Sequence, residues 1–470
     1  MKTIKFILAA ISIVALVACQ KEEESGDRSQ AKPPVLLSSV PENGAEGITG
    51  TSVELKLEFD VNVMCPTSER NRITVDNEAA IYSIDAYMKE IVLTVSGLDA
   101  GKTYTVDFPE GTVIGYNDNP VRQFSIKFST RSSEPDRPQE IDEYLVTPDP
   151  IPNASRLYEY LRSIYGEKTL SGSMAKVSWN IDEAEWVKKW TGSYPAIAVF
   201  DYIHLDYSPA DWIDYGNIAT VKEWFDKGGI VSAGWHWNVP VSKGSQELST
   251  SADVDFSAAE AVKEGTWENS VIKEDLEKIA EYLLLLQAEN IPVIWRPMHE
   301  AAGNTYTEYH SGAWFWWGKD GAEAYVSLWR YVFDYFSRKG LRNLIWVWTT
   351  QTSSEMDSDY DFYPGDSYVD IVGKDIYNVN DAADISAMFK TVTRKSPTKM
   401  VTLSECGNVS EIGKQWNEEA RWLYFMPWYD YDNDFSENFA HDHAGIAWWK
   451  EAFDSPEVIT LDELPSGLYE

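Results

Sequence analysis

The feature that most constrains this chain is an alternation running through residues 142–470. Eight short apolar runs read as strands: residues 169–171, 194–202, 229–237, 291–300, 343–350, 368–377, 399–407 and 444–450. Helix-like segments lie between them. The clearest is 271–290, where Ile272, Leu276, Ile279, Leu283 and Leu286 share one face at three- and four-residue spacing, and Glu274 and Lys278 fall on the other. Residues 321–339 are patterned similarly. Strands alternating with helices imply a parallel sheet. Eight such repeats predict a (β/α)8 TIM barrel over 142–470. In that architecture the chemistry sits at the C-terminal ends of the strands, so the polar residues closing each run are the candidates.

Two runs close on a glutamate. The fourth, Ile291-Pro292-Val293-Ile294-Trp295-Arg296-Pro297-Met298-His299-Glu300, turns abruptly polar at His-Glu; the seventh, Met400-Val401-Thr402-Leu403-Ser404-Glu405-Cys406-Gly407, ends in Glu405. Three βα units separate them, so their strands nearly face each other across the barrel mouth. Retaining glycoside hydrolysis needs two such carboxylates about 5–5.5 Å apart, one protonating the leaving oxygen and the other attacking the anomeric carbon. A tyrosine or arginine donating to Glu405 would keep it ionised. Aromatic surroundings and the charge of Glu405 should hold Glu300 towards its neutral form. The chain has 20 tryptophans, the first being Trp179. Most belong to a core, but so many flat rings also suit stacking on sugar faces.

These residues carry a resemblance. Arg296-Pro297-Met298-His299-Glu300, followed by Trp314-Phe315-Trp316-Trp317-Gly318, resembles family 26 of the glycoside hydrolases, which is dominated by β-mannanases. So do Gly234-Trp235-His236-Trp237, Asp375-Ile376-Tyr377 and Ser404-Glu405-Cys406-Gly407, in barrel order. The resemblance implies that Glu300 is the acid/base and Glu405 the nucleophile. It implies that His236 and Trp314 contact the sugar at the cleavage subsite, that His299 lies beside the acid/base, and that Tyr377 reaches the nucleophile. Arg296 either supports Glu405 or touches substrate. Asp375 is a further substrate-side candidate or a structural cap. Trp448, on the eighth run, is expected to floor the subsite, and Trp316 and Trp317 to join the core. The segment 304–313, with Tyr306, Tyr309 and His310, is longer than the compact form of the motif and is placed to close one side of the cleft or add a stacking platform.

The chain before residue 142 is organised differently. Lys2 and Lys5, then an apolar stretch from Phe6 to Val17, read as an export signal over 1–18. Leu16-Val17-Ala18-Cys19 looks like a bacterial lipobox, which would make Cys19 a lipid-modified N-terminus. Lys21-Glu22-Glu23-Glu24 is similar to the acidic tag that sends lipoproteins of the Bacteroides type to the outer cell surface, and 19–32 reads as a tether. Residues 33–131 alternate as short strands (Val53, Leu55, Leu57 and Phe59 against Glu54, Lys56 and Glu58), which predicts a small immunoglobulin-like β-sandwich. Leu98-Asp99-Ala100-Gly101-Lys102-Thr103-Tyr104 looks like the late hairpin of a bacterial immunoglobulin-like domain. Residues 132–141, with Pro135 and Pro138, read as a linker.

Charge and cysteines narrow the function. Forty basic against 75 acidic residues give a net charge of −35, which repels a phosphate backbone and argues against nucleic acid. Cys65 and Cys406 fall in different domains, no zinc spacing or phosphate loop occurs, and neither metal nor cofactor is expected. The expectation is a monomeric, retaining endo-β-1,4-mannanase, touching the outer membrane only through a lipid on Cys19 and facing the cell surface. Its partner would be β-mannan polysaccharide or manno-oligosaccharides: mannan, glucomannan or galactomannan. The alternatives are a β-1,3-1,4-glucanase or β-1,3-xylanase of the same family, and a surface lipoprotein whose barrel binds glycan without cleaving it.

Overall fold

The computed structural model describes residues 32–470 apart from 49–51, 78, 100, 117, 131–139, 177–178, 308–309, 352–358 and 437–438. The signal over 1–18, Cys19, nearly all of the tether and most of the linker lie outside the described residues. The chain divides into two compact units, residues 1–138 and 139–470.

The first unit is a sandwich of two four-stranded sheets. One sheet orders Leu36–Val40, Ser52–Phe59, Glu90–Ser96 and Ala80–Tyr87; the other orders Ala45–Ile48, Phe124–Thr130, Thr103–Phe108 and Thr74–Val75. The alternation that predicted strand 52–59 is realised: Leu55, Leu57 and Phe59 are fully buried. They meet Tyr104, Val106, Phe108, Ile126 and Phe128 of the facing sheet.

The second unit is a closed barrel of eight parallel strands. They are β1 (Thr169–Met174), β2 (Ile197–Asp201), β3 (Ile230–Trp235), β4 (Val293–Pro297), β5 (Leu344–Thr350), β6 (Ile371–Tyr377), β7 (Met400–Gly407) and β8 (Tyr424–Pro427). Each pairs with the next, and β8 and β2 both pair with β1, which closes the cylinder. Nearly every strand residue is buried on both faces, which is why these runs are apolar rather than alternating. The outer helices follow the anticipated pattern. Trp267–Ala288 buries Ile272, Leu276, Ile279, Leu283 and Leu286, and Ala322–Lys339 buries Leu328, Trp329, Val332 and Phe336.

The eighth strand is a correction. Residues 444–450 are not a strand; they enter the helix Ile446–Asp454. Its buried positions, Trp449 and Ala452, are three apart, a helical spacing. The true β8 is only four residues, Tyr-Phe-Met-Pro, and Pro427 ends it. A run that short gives too little alternation to outweigh the longer apolar stretch downstream.

A second feature shapes the site. Lys374 of β6 pairs with Leu403 of β7, but the next pair is Asp375 with Glu405, so Ser404 is an extra residue in β7. This bulge turns two successive side chains, Ser404 and Glu405, towards the same interior.

Candidate active site

Four strands deliver the charged cluster at the barrel mouth. Arg296 on β4 crosses the interior. Its Nη2 donates to Glu405 Oε2 on β7 at 2.9 Å and also to Asp375 Oδ2 on β6, and its Nε donates to Thr349 Oγ1 on β5 at 3.2 Å. All four groups are buried. The other oxygen of Glu405 accepts from the Tyr377 hydroxyl at 2.5 Å. Asp375 is held further by Ser404 Oγ at 2.7 Å. Arg296 is therefore the support for Glu405, one of the two roles the sequence left open, and Asp375 braces Arg296.

Glu300 follows β4 with its backbone in the left-handed region, φ 52°, and its N–H bonded to Thr349 O at 3.2 Å. Burial raises the pKa of its carboxyl well above the usual range, and the negative charges of Asp375 and Glu405 raise it again. Asp375 is pushed up to about 7 by burial, with Arg296 pulling the other way. The arrangement separates two roles: Glu405 accepts two strong donors, whereas Glu300 is held towards the protonated state.

The histidines are arranged around this pair. His236, just past β3, binds Asp201 of β2 through both its backbone N–H (3.1 Å) and its Nδ1. Burial disfavours charging the His236 ring, but the Asp201 carboxylate outweighs it and the net shift is upward. His299 packs 4.4 Å from His236 and 5.1 Å from Phe315. Burial, with Arg296 and His236 nearby, drives its pKa well below the usual value, so the ring is neutral.

The aromatic motif after Gly303 divides its labour. Trp316 and Trp317 are fully buried, their indole N–H groups donating to Trp237 O (2.7 Å) and His299 O (2.9 Å). Phe315 stacks on Trp317 at 4.3 Å and faces both histidines. Trp314 stands on the rim, 38% exposed. Within 304–313, Tyr306 is engaged elsewhere: its hydroxyl donates to Asp361 at 2.9 Å and its ring meets Phe362. Tyr309 lies outside the described residues.

Trp448 is not at the mouth of a strand. It sits in the helix Ile446–Asp454, packs against Phe425 and Trp449, and donates to Ser410 O at 3.4 Å. The tryptophan that follows the true β8 is Trp428, half-buried and 5.6 Å from His236. Sequence reading missed it with β8. It also missed Asp201, although Asp201 closes an apolar strand just as Glu300 and Glu405 do. Behind Trp428, Glu183 accepts from His441 Nε2 (3.2 Å), Asn433 Nδ2 (3.1 Å) and Asp430 N (3.3 Å), tying the β8 loop to the helix Asp182–Thr191. Among the described residues, no group of three or more His, Cys, Asp or Glu is arranged to hold a metal ion.

The family model for glycosyl hydrolase family 26 matches residues 146–463. The chain belongs to glycosyl hydrolase family 26. It is a glycoside hydrolase by that membership, and a bacterial Ig-like domain model matches residues 30–130 ahead of the barrel. Among family 26 proteins, mannan endo-1,4-β-mannosidase B of Piromyces is 29% identical over 448 residues, 89% of this chain and 74% of that protein. The family 26 domain of a Prevotella bryantii endo-β-mannanase/endo-β-glucanase is 39% identical, with a TM-score of 0.64 over 69% of this chain and all of that one. A β-mannanase from a symbiotic protist of the termite Reticulitermes speratus, solved with a gluco-manno-oligosaccharide, is 33% identical, with a TM-score of 0.60 over 69% of this chain and 98% of that one.

Proposed function

We propose that the chain is a retaining endo-β-1,4-mannanase acting on mannan, glucomannan or galactomannan. The observation that carries the mechanism is the asymmetry of its two glutamates. Glu405 accepts from Arg296 and Tyr377, which orient its carboxyl as the nucleophile; Glu300 is buried beside negative charge, which favours the acid. Glu405 attacks the anomeric carbon as Glu300 protonates the leaving oxygen. Once the glycosyl ester forms, the charge of Glu405 is gone. Glu300 then gives up its proton more readily and serves as base to the incoming water. The neutral ring of His299 and the Asp201-bound ring of His236 orient hydroxyls rather than exchange the catalytic proton. The names borne by the Piromyces and termite-symbiont relatives support the choice of mannan.

The test is covalent trapping with product analysis. A 2-deoxy-2-fluoro mannobiosyl fluoride should label Glu405, read by peptide mass. Galactomannan and glucomannan should yield short manno-oligosaccharides, with Glu300→Ala lower by about 10²–10⁴-fold. Cleavage of mixed-linkage β-glucan alone would keep the mechanism and replace the substrate. Binding without cleavage by the parent chain would replace the enzyme with a glycan-binding barrel.

The reading extends to place. Leu16-Val17-Ala18-Cys19 and the acidic residues after it support a lipid on Cys19 and a surface-facing anchor, with the Ig-like unit as spacer. Cys19→Ser should move the activity from the membrane fraction into soluble extract or medium. Retention on membranes would sink the anchor.

A further inference from the structure

The Ig-like unit gathers its exposed apolar side chains mainly at one pole. Phe59 and Phe124 meet there at 6.2 Å, so the end of strand Ser52–Phe59 in one sheet and the start of Phe124–Thr130 in the other share that end of the sandwich. The chain enters the unit at the same pole: Val35 N donates to Asp60 Oδ1 at 2.8 Å, and Asp60 N to Val35 O at 3.0 Å. It leaves at the opposite pole, where Thr130 Oγ1 donates to Asp99 O at 2.6 Å and Thr130 N to Lys102 O at 2.9 Å. Val35, Leu37, Val61, Tyr87, Met88 and Tyr116 are exposed at or beside the entry pole. Val40 and Tyr82 are exposed too, but they lie along the strands, near the Lys56 pair and beside Thr94 and Val95.

The entry pole is a rigid tip. Met88 and Lys89 form the turn between Ala80–Tyr87 and Glu90–Ser96, with Met88 at φ 50°. Two-residue hairpin turns with positive φ ordinarily take Asn, Asp or Gly; here a methionine is held 55% exposed. Phe59 N donates to Lys89 O and Val63 N to Met88 O, both at 2.8 Å, and Tyr116 N donates to Asn62 O at 3.4 Å. Three loops are thereby tied together.

The chemistry selects the occupant. Valine, leucine and methionine offer a sugar no hydrogen bond. At a bilayer interface such groups reach the acyl boundary, while tyrosine rings sit among the headgroups. Among the described residues, neither the Tyr87 nor the Tyr116 hydroxyl has a hydrogen-bond partner, so both are free for headgroups. Exposed Lys89 and Arg122 are interleaved with exposed Asp60 and Glu90, and the chain's net charge is −35, which disfavours a polyanion. No helix among the described residues is long and apolar enough to cross a membrane, so the contact is interfacial. Val35 is 16 positions after Cys19, at most about 55 Å of chain. We propose that this tip docks on lipid headgroups beside the anchor, a membrane contact beyond the lipid itself. The Ig-like unit then stands end-on, its eight-residue strand Ser52–Phe59 lifting the exit pole about 26 Å off the bilayer. The end-on stance rests on the lipid at Cys19 proposed above; the affinity of the tip for a bilayer does not.

Flotation with vesicles reads the tip alone. The full chain carrying Cys19→Ser, and so no lipid, is floated with phosphatidylethanolamine–phosphatidylcholine vesicles. It should partition reversibly, and equally at low salt and at about 0.5 M salt, since the contact is apolar. Tyr87→Ser with Met88→Ser should weaken partition about tenfold, and Met88→Trp should preserve or strengthen it. Val40→Ser with Tyr82→Ser, which strips exposed apolar surface elsewhere on the unit, should leave it unchanged. No flotation, an equal loss with the Val40 and Tyr82 pair, or loss at high salt would overturn the contact. Retardation in mannan gels that needs Tyr87 and Met88, without flotation, would give the tip to a glycan and overturn it as well. The anchor is read apart, on washed cell membranes, where so weak a contact does not persist. If Cys19→Ser fails to release the chain there, the anchor falls, while flotation that depends on Tyr87 and Met88 still upholds the tip.

Discussion

At Glu300 the backbone takes a left-handed φ of 52° that a glutamate does not favour, two residues after Met298 does the same at 46°. Such a conformation costs of order 1–3 kcal/mol and persists because the surroundings hold it. It places the carboxyl where Asp375 and Glu405 act on it, and that placement sets the pH response. With Glu300 as the proposed acid, only its protonated form can deliver a proton, so kcat/KM should fall as pH rises through its raised pKa. Asp375 is one of the charges raising it. Asp375→Asn removes that charge, lowers the Glu300 pKa, and should move the alkaline limb to lower pH; a limb that stays put or moves up would refute this. Tyr377→Phe withdraws the 2.5 Å donor from Glu405. A charge-assisted bond of this kind contributes about 1.5–3 kcal/mol to the folded state, so denaturant unfolding should show a loss of up to that amount, and kcat/KM should drop by about 10- to 100-fold as Glu405 loses its positioning donor.

Among the elements, β6 and β7 bear most on the chemistry. The extra residue at Ser404 lets Ser404 reach Asp375 while Glu405 still meets Arg296 and Tyr377. Room for this comes from Gly373, where a Cβ would strike Ser404 Oγ and Thr349 Oγ1. Gly373→Ala should destabilise by about 1–3 kcal/mol, the usual cost of overpacking, measured by denaturant unfolding. It should also lower kcat, because Thr349 positions Arg296. An alanine with undiminished kcat would show that the floor is adaptable. None of this was legible beforehand: a bulge leaves no mark on an apolar run, and a glycine in a strand announces only that something lies close. The glutamates were legible because each breaks an apolar strand with a charge. Trp428 was not, because β8 is four residues long and its neighbour 444–450 is equally apolar. The same imbalance placed Trp448 on a strand it does not belong to. His236 was visible in its motif; Asp201 also closes an apolar strand with a charge and could have been flagged, but its pairing with His236 is a contact between strands that no local pattern reports.

For the whole molecule, the buried acids dominate the response to pH. Burial pushes Asp275 up to about 8, Asp370 to about 7 and Asp359 to about 6, alongside Asp375 and Glu300. Unfolded, such groups titrate near about 4. Between about pH 4 and pH 8 the folded state therefore holds more protons than the unfolded state, and stability falls as pH rises. His236, with its raised pKa, adds in the same direction, since its contribution is present at low pH and lost as pH rises. His299, kept neutral, opposes only below about pH 6.5. The melting temperature of the catalytic unit should accordingly be higher at pH 6 than at pH 8.5 by calorimetry, and salt should recover part of the difference by screening the net charge of −35. A melting temperature that is level or rising over that interval would contradict the assignment.

The shortness of β8 gives the cylinder a seam. A barrel is a ring of staves, and this one is fastened beside β1 by two register pairs, Leu170 with Tyr424 and Ser171 with Phe425. The neighbouring joint to β7 keeps only Leu403 with Phe425 and Cys406 with Pro427. By contrast, β6 and β7 share seven pairs, from Ile371 with Met400 to Tyr377 with Gly407. The last stretch of chain, Val458–Ile459, lies on the other edge of β1, against Thr169 and Leu170, and does not close the gap. Deuterium should therefore enter the amides of β8 well before those of β6 and β7. A ring that parts at this joint would part beside Trp428, 5.6 Å from His236, so the wall of the proposed sugar site would loosen with it.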